Sequence, residues 1–310
     1  MEFAEHAERN LVELHEDLAR GTYRHGTYTR FFVHDPKRRF IAKASVRDRV
    51  LHHAICRILV PRLDKAFIFD SYASRKTKGT HVANDRLNNF AQRLSRNGTR
   101  TVWLLKCDIR KFFDSVDHKV LLRICCKKTA DPALLQLLEN IIRSFATRPG
   151  QGIPLGNLTS QLFANMYLDP LDQYVKRELR CAHYIRYTDD FVFLSEDRQK
   201  LEQLLPHIEN FLRERLLVEM HPDKIMFKKW HEGVDFLGFV HFPDFKIVRQ
   251  KTVRRMFRKL SSQFQEAGVE DRERDRLEQA KQSYLGVLSH GRNKKLSRNV
   301  RRNFRVFPQE

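Results

Sequence analysis

Tyr184 to Leu194 reads YIRYTDDFVFL. A run suited to a strand, Tyr184 to Tyr187, meets Thr188-Asp189-Asp190, and a second such run, Phe191 to Leu194, follows at once. Strand, tight acidic turn, strand predicts a hairpin. Its tip presents adjacent carboxylates flanked by apolar strand. Two like charges about 4 Å apart repel by roughly 4 kcal/mol at an effective dielectric near 20. A cationic companion is therefore expected, and a divalent hard cation that takes oxygen ligands is the natural one. Aspartate also favours turns, so a solvated hairpin tip is the alternative this stretch alone leaves open.

The 310 residues carry 58 Lys and Arg against 38 Asp and Glu, a formal charge of +20, and 41% are hydrophobic. The hydrophobic share excludes a disordered chain, and the length allows a substantial core with two or more substructures. The basic surplus suits a nucleic acid or an anionic membrane surface. No apolar run approaches the roughly 18 residues of a membrane span, and the opening MEFAEHAERN is polar. The reading is therefore a cytoplasmic protein with no membrane partner. Cys56, Cys107, Cys125, Cys126 and Cys181 form no CxxC pair, so neither a zinc site nor a disulfide framework is expected.

Outward from the hairpin, apolar spacing predicts an opening helix (Phe3, Ala7, Leu11, Leu14, Leu18) ending near Gly21, a helix from Ser45 to Phe67 and another from Val82 to Leu94. Between the first two, Thr22 to Phe40 interleaves Tyr23, Tyr28, Phe31, Phe32 and Phe40 with His, Arg and Lys, including PKRRF. That mixture suits bases and phosphates. A strand pair with an aromatic inner face explains the same residues. SYASRKTKGTHVA is a basic loop, and GQGIPLG a Gly/Pro-punctuated one that enters the apolar helix LFANMYLDPLDQYV. VDFLGFV, Val234 to Val240, reads as a strand. In the tail, Val253, Met256, Phe257 and Leu260 form an apolar stripe opposite Arg254, Arg255, Arg258 and Lys259, a face suited to a phosphate backbone. Ala267 to Lys281 reads as a loop plus a solvent helix, before SYLGVLSH and a very basic end.

Trp103 to Leu105 is a short apolar strand leading into Lys106-Cys107-Asp108-Ile109. A carboxylate leaving a buried strand suits a metal ligand, although a charge there can also mark where solvent begins. Asp108 precedes Asp189 by 81 residues (189 − 108), with helix, loop and helix between, so its strand can lie beside the hairpin in one antiparallel sheet. Three carboxylates at a sheet end of a basic protein are the ingredients of two-metal phosphoryl transfer.

These residues resemble reverse transcriptases, in order, from about residue 36 to the C-terminus. KCDIRKFFDSVDH resembles the first metal-binding motif, YIRYTDDFVF the YxDD box, HPDKIMF the lysine-bearing turn, and VDFLGFV the hairpin supporting the primer end. The resemblance implies an α+β right-hand polymerase with fingers, an antiparallel-sheet palm and a helical thumb. It places an N-terminal helix and extension at 1–35, fingers at 36–100, palm at 101–247 with a finger insertion at about 130–155, and a basic thumb at 248–310. It implies Asp108, Asp189 and Asp190 as catalytic metal ligands, with the carbonyl of Ile109, for two Mg²⁺ ions or Mn²⁺ as a substitute. Phe113 corresponds to the aromatic that excludes a ribose 2′-hydroxyl. Arg75 and Lys78 fall in the finger loop resembling the triphosphate grip, and Lys224 corresponds to the lysine near the primer or incoming nucleotide.

Where most of the family reads PQG, this chain has Pro154-Leu155-Gly156, followed by Ser160-Gln161. IPLGNLTSQLFAN, SYASRKTKGTHVA and SYLG…H are most similar to the enzymes of diversity-generating retroelements, in the group II intron-like lineage. Leu155, Gly156 and Gln161 are then nucleotide-side residues, and Leu155 in place of glutamine implies error-prone copying. Expected partners are template RNA, nascent cDNA, deoxynucleotides and a small basic accessory protein, in a bacterial, archaeal or phage-encoded setting. No maturase, zinc-finger or endonuclease motif follows the thumb residues, which disfavours a mobile group II intron protein. A defence-associated or otherwise domesticated reverse transcriptase shares every motif. A catalytically silent RNA-binding protein leaves the three acids unexplained, and a metal-dependent nuclease leaves Phe113 and the finger loop unexplained.

Overall fold

The computed structural model describes residues 5–34, 38–266 and 271–304. Phe3 of the opening helix, Pro36 and Lys37 of PKRRF, and residues 267–270 and 305–310 lie outside them. The chain divides into two compact units, one of Met1–Gly79, Leu105–Phe193 and Gln199–Met226, the other of Thr80–Leu104, Leu194–Arg198 and Phe227–Glu310.

In the first unit, α1 (Ala7–Ala19) precedes a two-stranded antiparallel sheet of β1 (Thr29–Val33) and β2 (Arg39–Lys43). α2 (Val46–Leu63) starts where the Ser45 hydroxyl accepts a hydrogen bond from the Asp48 amide, capping an orphan N–H of the first turn. It stops at Leu63, short of the expected Phe67. After β3 (Trp103–Asp108) come the one-turn α4 (Phe112–Ser115), α5 (His118–Lys128) and α6 (Pro132–Arg143), α3 (Thr80–Ser95) belonging to the second unit. Asp131 caps α6 by accepting from the amides of Ala133 and Leu134, and Pro132 fits the first turn, whose N–H would be unbonded anyway.

The axis of this unit is α7 (Leu158–Gln173), buried along most of its length and packed on α2 and α5. Its polar residues find partners rather than solvent. Asn165 donates to the carbonyl of Ala73 at 2.9 Å, and Asp169 pairs with Lys128 at 2.6 Å. A π-helical turn, Tyr174–Glu178, follows α7 and leads into the hairpin of β4 (Tyr184–Tyr187) and β5 (Asp190–Ser195). Tyr187 pairs directly with Asp190, leaving a two-residue turn, Thr188-Asp189. α8 (Arg198–Arg215) follows, and with β6 (Met226–Lys229) the four-stranded sheet runs β4-β5-β3-β6. β3 is thus the hairpin's neighbour, as its motif spacing allows.

In the second unit, α3 (Thr80–Ser95) accompanies the three-stranded sheet β7 (Val234–Phe236), β8 (Phe239–His241) and β9 (Lys246–Val248). VDFLGFV is therefore two strands, not one. Leu237 and Gly238 turn the chain at φ 44° and 90°, the left-handed geometry of a two-residue hairpin. α9 (Gln250–Glu266), α10 (Asp271–Ser289) and α11 (Lys294–Asn303) share one core in which Val253, Met256, Leu260, Leu277, Leu285 and Leu288 are buried. The stretch read as a loop plus a solvent helix is helical from Asp271 on, and that helix continues without a break into SYLGVLS. Leu277, Leu285 and Leu288 keep the 3.6-residue period through its charged sequence.

Candidate active site

β3 ends where Asp108 leaves the sheet. The amide of Ile109 donates to the carbonyl oxygen of Asp189 at 3.1 Å, tying this end to the acidic turn. On its other side, His221 donates its amide to the Asp108 carbonyl at 2.8 Å and Arg110 donates to Glu219 at 2.9 Å. One backbone ladder thereby brings together Asp108, the Thr188-Asp189 turn and the turn Pro222–Lys224.

Each flanking carboxylate faces an ammonium. Lys224 Nζ lies 2.5 Å from Asp108 Oδ1, and Lys106 Nζ lies 3.1 Å from Asp190 Oδ2. Asp189, at the turn, has its pKa pushed up to about 6, first by burial and then by the charge of Asp108. A group held in this way favours a cation beside it. Among the described residues no three His, Cys, Asp or Glu side chains stand close enough to form a ready-made metal cage. The donors suit the metal in kind, being hard carboxylate oxygens at one sheet end. Lys106 and Lys224 supply the positive charge in their present places.

The turn is braced from below by Arg186, a residue that the sequence reading passed over. Its side chain is fully buried, and it forks onto Asp172 of α7 through Nε at 2.8 Å and Nη2 at 2.6 Å. Nη1 donates to the carbonyl of Thr188 at 3.0 Å, and Nη2 also reaches Ser71 Oγ at 3.2 Å. Thr188 sits at φ 54°, a backbone state that a β-branched residue rarely adopts and that needs support from its surroundings. Tyr184 donates its hydroxyl to Asp172 at 2.8 Å, satisfying the carboxylate further. The available signal was an arginine in the middle of a buried apolar strand, where a charge requires a partner.

The nucleotide-side residues fall into two groups. Phe113 is half-buried on α4, its ring edge-on to Phe112 at 5.6 Å and its carbonyl bonded by the Ile153 amide at 2.8 Å. Leu155 accepts from the Ala42 amide at 3.0 Å, and Gly156, at φ 108°, leaves room for Ile41, which a Cβ there would meet at 2.7 Å. Gln161 is exposed at the start of α7. Arg75 is differently engaged. Its guanidinium pairs with Asp64 and donates to the carbonyls of Ile68, Ser71 and Asp64, so in this arrangement it is a strut of its own loop. Lys78 donates to the Phe69 carbonyl at 3.0 Å and lies over the Phe69 ring at 3.3 Å. Directly after Asp108, a cavity of about 540 Å³ is lined by Arg110, Lys111 and Arg148 together with Asp114 and Glu219. In the second unit, Arg254, Arg258 and Lys259 of α9 are exposed and Arg255 is half-buried.

Helices around an antiparallel sheet whose end gathers acidic residues form the architecture of a right-hand polymerase. The sequence profile of the reverse transcriptase (RNA-dependent DNA polymerase) family matches residues 34–241, more than half of the chain, and the chain belongs to that family. It is 22% identical over 255 residues to the putative COX1/OXI3 intron 2 protein of Saccharomyces cerevisiae, covering 62% of this chain and 29% of that protein. It is 23% identical to protein YkfC of Escherichia coli, covering 74% and 70%. It is 20% identical to the group II intron-encoded protein LtrA of Lactococcus lactis, covering 80% and 52%. The chain thus spans less than a third of the first of these relatives and about half of the last. Among solved structures, apo telomerase from Candida tropicalis shares the fold at a TM-score of 0.55 and 12% identity, over 71% of this chain and 48% of that one. Telomerase from Candida albicans, solved with a TWJ fragment of telomeric RNA, matches at 0.55 and 11%, over 91% and 55%.

Proposed function

We propose that the chain is an RNA-directed DNA polymerase that makes cDNA from deoxynucleotides, and that it serves a diversity-generating retroelement. The observation that carries the polymerase reading is the hydrogen bond from the Ile109 amide to the Asp189 carbonyl, because it joins the two acidic motifs at one sheet end. Asp108, Asp189 and Asp190, with the Ile109 carbonyl, would hold two Mg²⁺ ions, or Mn²⁺. When bound, such ions supply Lewis-acid activation of the attacking hydroxyl and neutralise charge on the leaving phosphates. Lys106 and Lys224 pair with the flanking carboxylates and orient them, and Arg110, Lys111 and Arg148 line a cavity suited to phosphates. Phe113 would exclude ribonucleotides.

In this reading residues 36–100 act as fingers, 101–247 as palm and 248–310 as a thumb whose Arg254, Arg255, Arg258 and Lys259 grip the template–product duplex. Arg75 shapes the finger loop, and Lys78 and Gln161 face the nucleotide. The diversity-generating assignment rests on Leu155 and its neighbours, an apolar side chain where a glutamine would check the base pair. No helix among the described residues is long and apolar enough to cross a membrane. A cytoplasmic setting and a small basic accessory protein are part of this proposal.

Deoxynucleotide incorporation on a primed RNA template with Mg²⁺, in wild type and in Asp189→Asn/Asp190→Asn, tests the reading. Extension by the wild type alone supports it. No extension by either protein, with cognate RNA and accessory protein supplied, would leave a silent RNA-binding chain in its place.

A further inference from the structure

α4 is a single turn, Phe112–Ser115, and a lone turn has too few hydrogen bonds of its own to hold its shape. Lys111, just before it, sits at φ 45°, a left-handed state uncommon for a residue with a side chain. What keeps the turn in place comes from elsewhere in the chain. The Ile153 amide donates to the Phe113 carbonyl and the Gly152 amide to the Val116 carbonyl, each at 2.8 Å. The Thr147 hydroxyl donates to the Asp114 carbonyl at 2.9 Å.

A column of rings supports the turn from the core. Phe113 meets Phe112 edge-on at 5.6 Å, and the buried Phe112 meets Tyr167 of α7 edge-on at 6.0 Å. Tyr167 is itself fully buried, and burial pushes its phenol far above the ordinary value, so the hydroxyl keeps its proton. That hydroxyl is used twice. It accepts from the Asp117 amide at 3.1 Å and donates to the Leu216 carbonyl. Asp117 caps α5 immediately after the turn, and Leu216 directly follows α8. One oxygen therefore fastens two stretches that line the cavity beside Asp108, with Lys111 and Asp114 before Asp117 and Leu217 and Glu219 after Leu216. A phenylalanine would fill the same core space. Packing alone makes no demand for a buried hydroxyl, which costs free energy unless it is bonded.

We propose that Tyr167 is a positioning residue for sugar selection. It fixes where Phe113 stands, through the ring of Phe112 and through the Asp117 amide, without touching the nucleotide. This rests on the reading of Phe113 as the group that excludes a ribose 2′-hydroxyl. Ribose and deoxyribose differ there by one oxygen, so a barrier that separates them has to keep its place to within about 1 Å. A one-turn helix reaches that precision only when its supports are fixed.

The test is single-nucleotide primer extension with the ribo- and deoxyribonucleotide of one base, on wild type, Tyr167→Phe, Phe113→Ala and the double variant. Tyr167→Phe keeps the ring and removes only the hydroxyl, so the core stays filled. The ratio of kcat/KM for the two sugars cancels the amount of folded enzyme, and a loss of stability alone does not move it. Tyr167→Phe should raise the ribonucleotide share about 5- to 20-fold, the worth of two modest hydrogen bonds. In the Phe113→Ala background the same change should alter the ratio less than about twofold, because the hydroxyl acts through Phe113. A Tyr167→Phe ratio within about twofold of wild type overturns the proposal, and so does an equal rise in both backgrounds. If Phe113→Ala leaves the ratio unchanged while primers are extended, the sugar-selection reading falls and the role of Tyr167 with it. A wild type that extends no primer, with cognate RNA and accessory protein supplied, sinks the polymerase reading and everything built on it.

Discussion

Arg186 Nη1 donates to the Thr188 carbonyl at 3.0 Å while the rest of the guanidinium is clamped on Asp172. The residue that makes the turn in a strained backbone state is therefore fastened to the central helix. Replacing Arg186 by Met leaves the buried Asp172 carboxyl without its ion partner, a loss of roughly 3–5 kcal/mol, and the chain should melt early. Arg186→Lys keeps a charge but loses the fork. In its folded fraction, kcat for primer extension should fall at least about tenfold and the Mg²⁺ concentration for half-maximal rate should rise. A lysine variant that melts early yet keeps the wild-type Mg²⁺ dependence would show the brace to be structural only.

Asp189 illustrates a site held against its own stability. Burial and Asp108 raise its pKa to about 6, so the ionised form costs the fold free energy at neutral pH. Asp189→Asn should stabilise the protein by roughly 1–3 kcal/mol above pH 6 while abolishing extension. The sign follows from a raised folded pKa. Wild type regains stability as pH falls and Asp189 takes up a proton, so the gap between the two melting curves should close toward pH 4. A lower melting temperature for the variant at pH 8 contradicts this account.

Leu155→Gln restores an amide where this chain presents an apolar wall. Misincorporation opposite template adenine should fall by about 2- to 10-fold, the worth of one modest hydrogen bond. Sequencing of cDNA made by both proteins reads the outcome, and equal error spectra refute the role of Leu155.

Phe113 is anchored at its carbonyl and against Phe112, and in the proposed function its ring excludes the ribose 2′-hydroxyl. Phe113→Ala should raise ribonucleotide incorporation relative to deoxynucleotide at least about tenfold. Single-nucleotide extension with each sugar measures the ratio, and an unchanged ratio removes Phe113 from sugar selection.

In the second unit, His241 is buried with Nε2 2.7 Å from Asn84 Oδ1, and its pKa is lowered to about 4 by burial and then by Lys246. His81, stacked at 3.6 Å on His290, is lowered as well, by burial first and then by that neighbour and Lys246. A histidine with a depressed folded pKa contributes stability above its unfolded value of about 6.5 that is lost as pH falls toward the folded value. Stability should drop by roughly 1–3 kcal/mol between pH 6.5 and 4 for His241. Denaturant melts of wild type and His241→Gln should show a flatter pH profile in the variant, and identical profiles would falsify the assignment.

The hairpin, the strand of Asp108 and the amphipathic helices were legible because their signals are local. Alternation around Thr188-Asp189-Asp190, a short apolar run before Asp108 and the Val253, Met256, Leu260 stripe all report on residues a few positions apart. What stayed hidden depends on partners distant in the chain. Arg186 reads as an ordinary strand residue until Asp172, Ser71 and the Thr188 carbonyl surround it. Arg75 reads as a free cation until Asp64 and three carbonyls take its donors. Lys106 and Lys224 could be placed in motifs, but not matched each to its own carboxylate. The strand pair of β1 and β2 exists, but its aromatics are not an inner face, Phe32 being 47% exposed and Phe40 41%. That exposure was equally out of reach, because a period-two pattern shows that faces differ and not which face meets water.

Asn157 gives the hairpin mechanical reach. Its side-chain amide donates to the Ala42 carbonyl at 2.7 Å and accepts from the Ala44 amide at 3.0 Å, copying the bonds of a missing strand, while Ala42 also grips Leu155. The aromatic hairpin and the Leu155-Gly156 loop are therefore stitched together at the head of α7, and neither can shift without straining hydrogen bonds that the other shares.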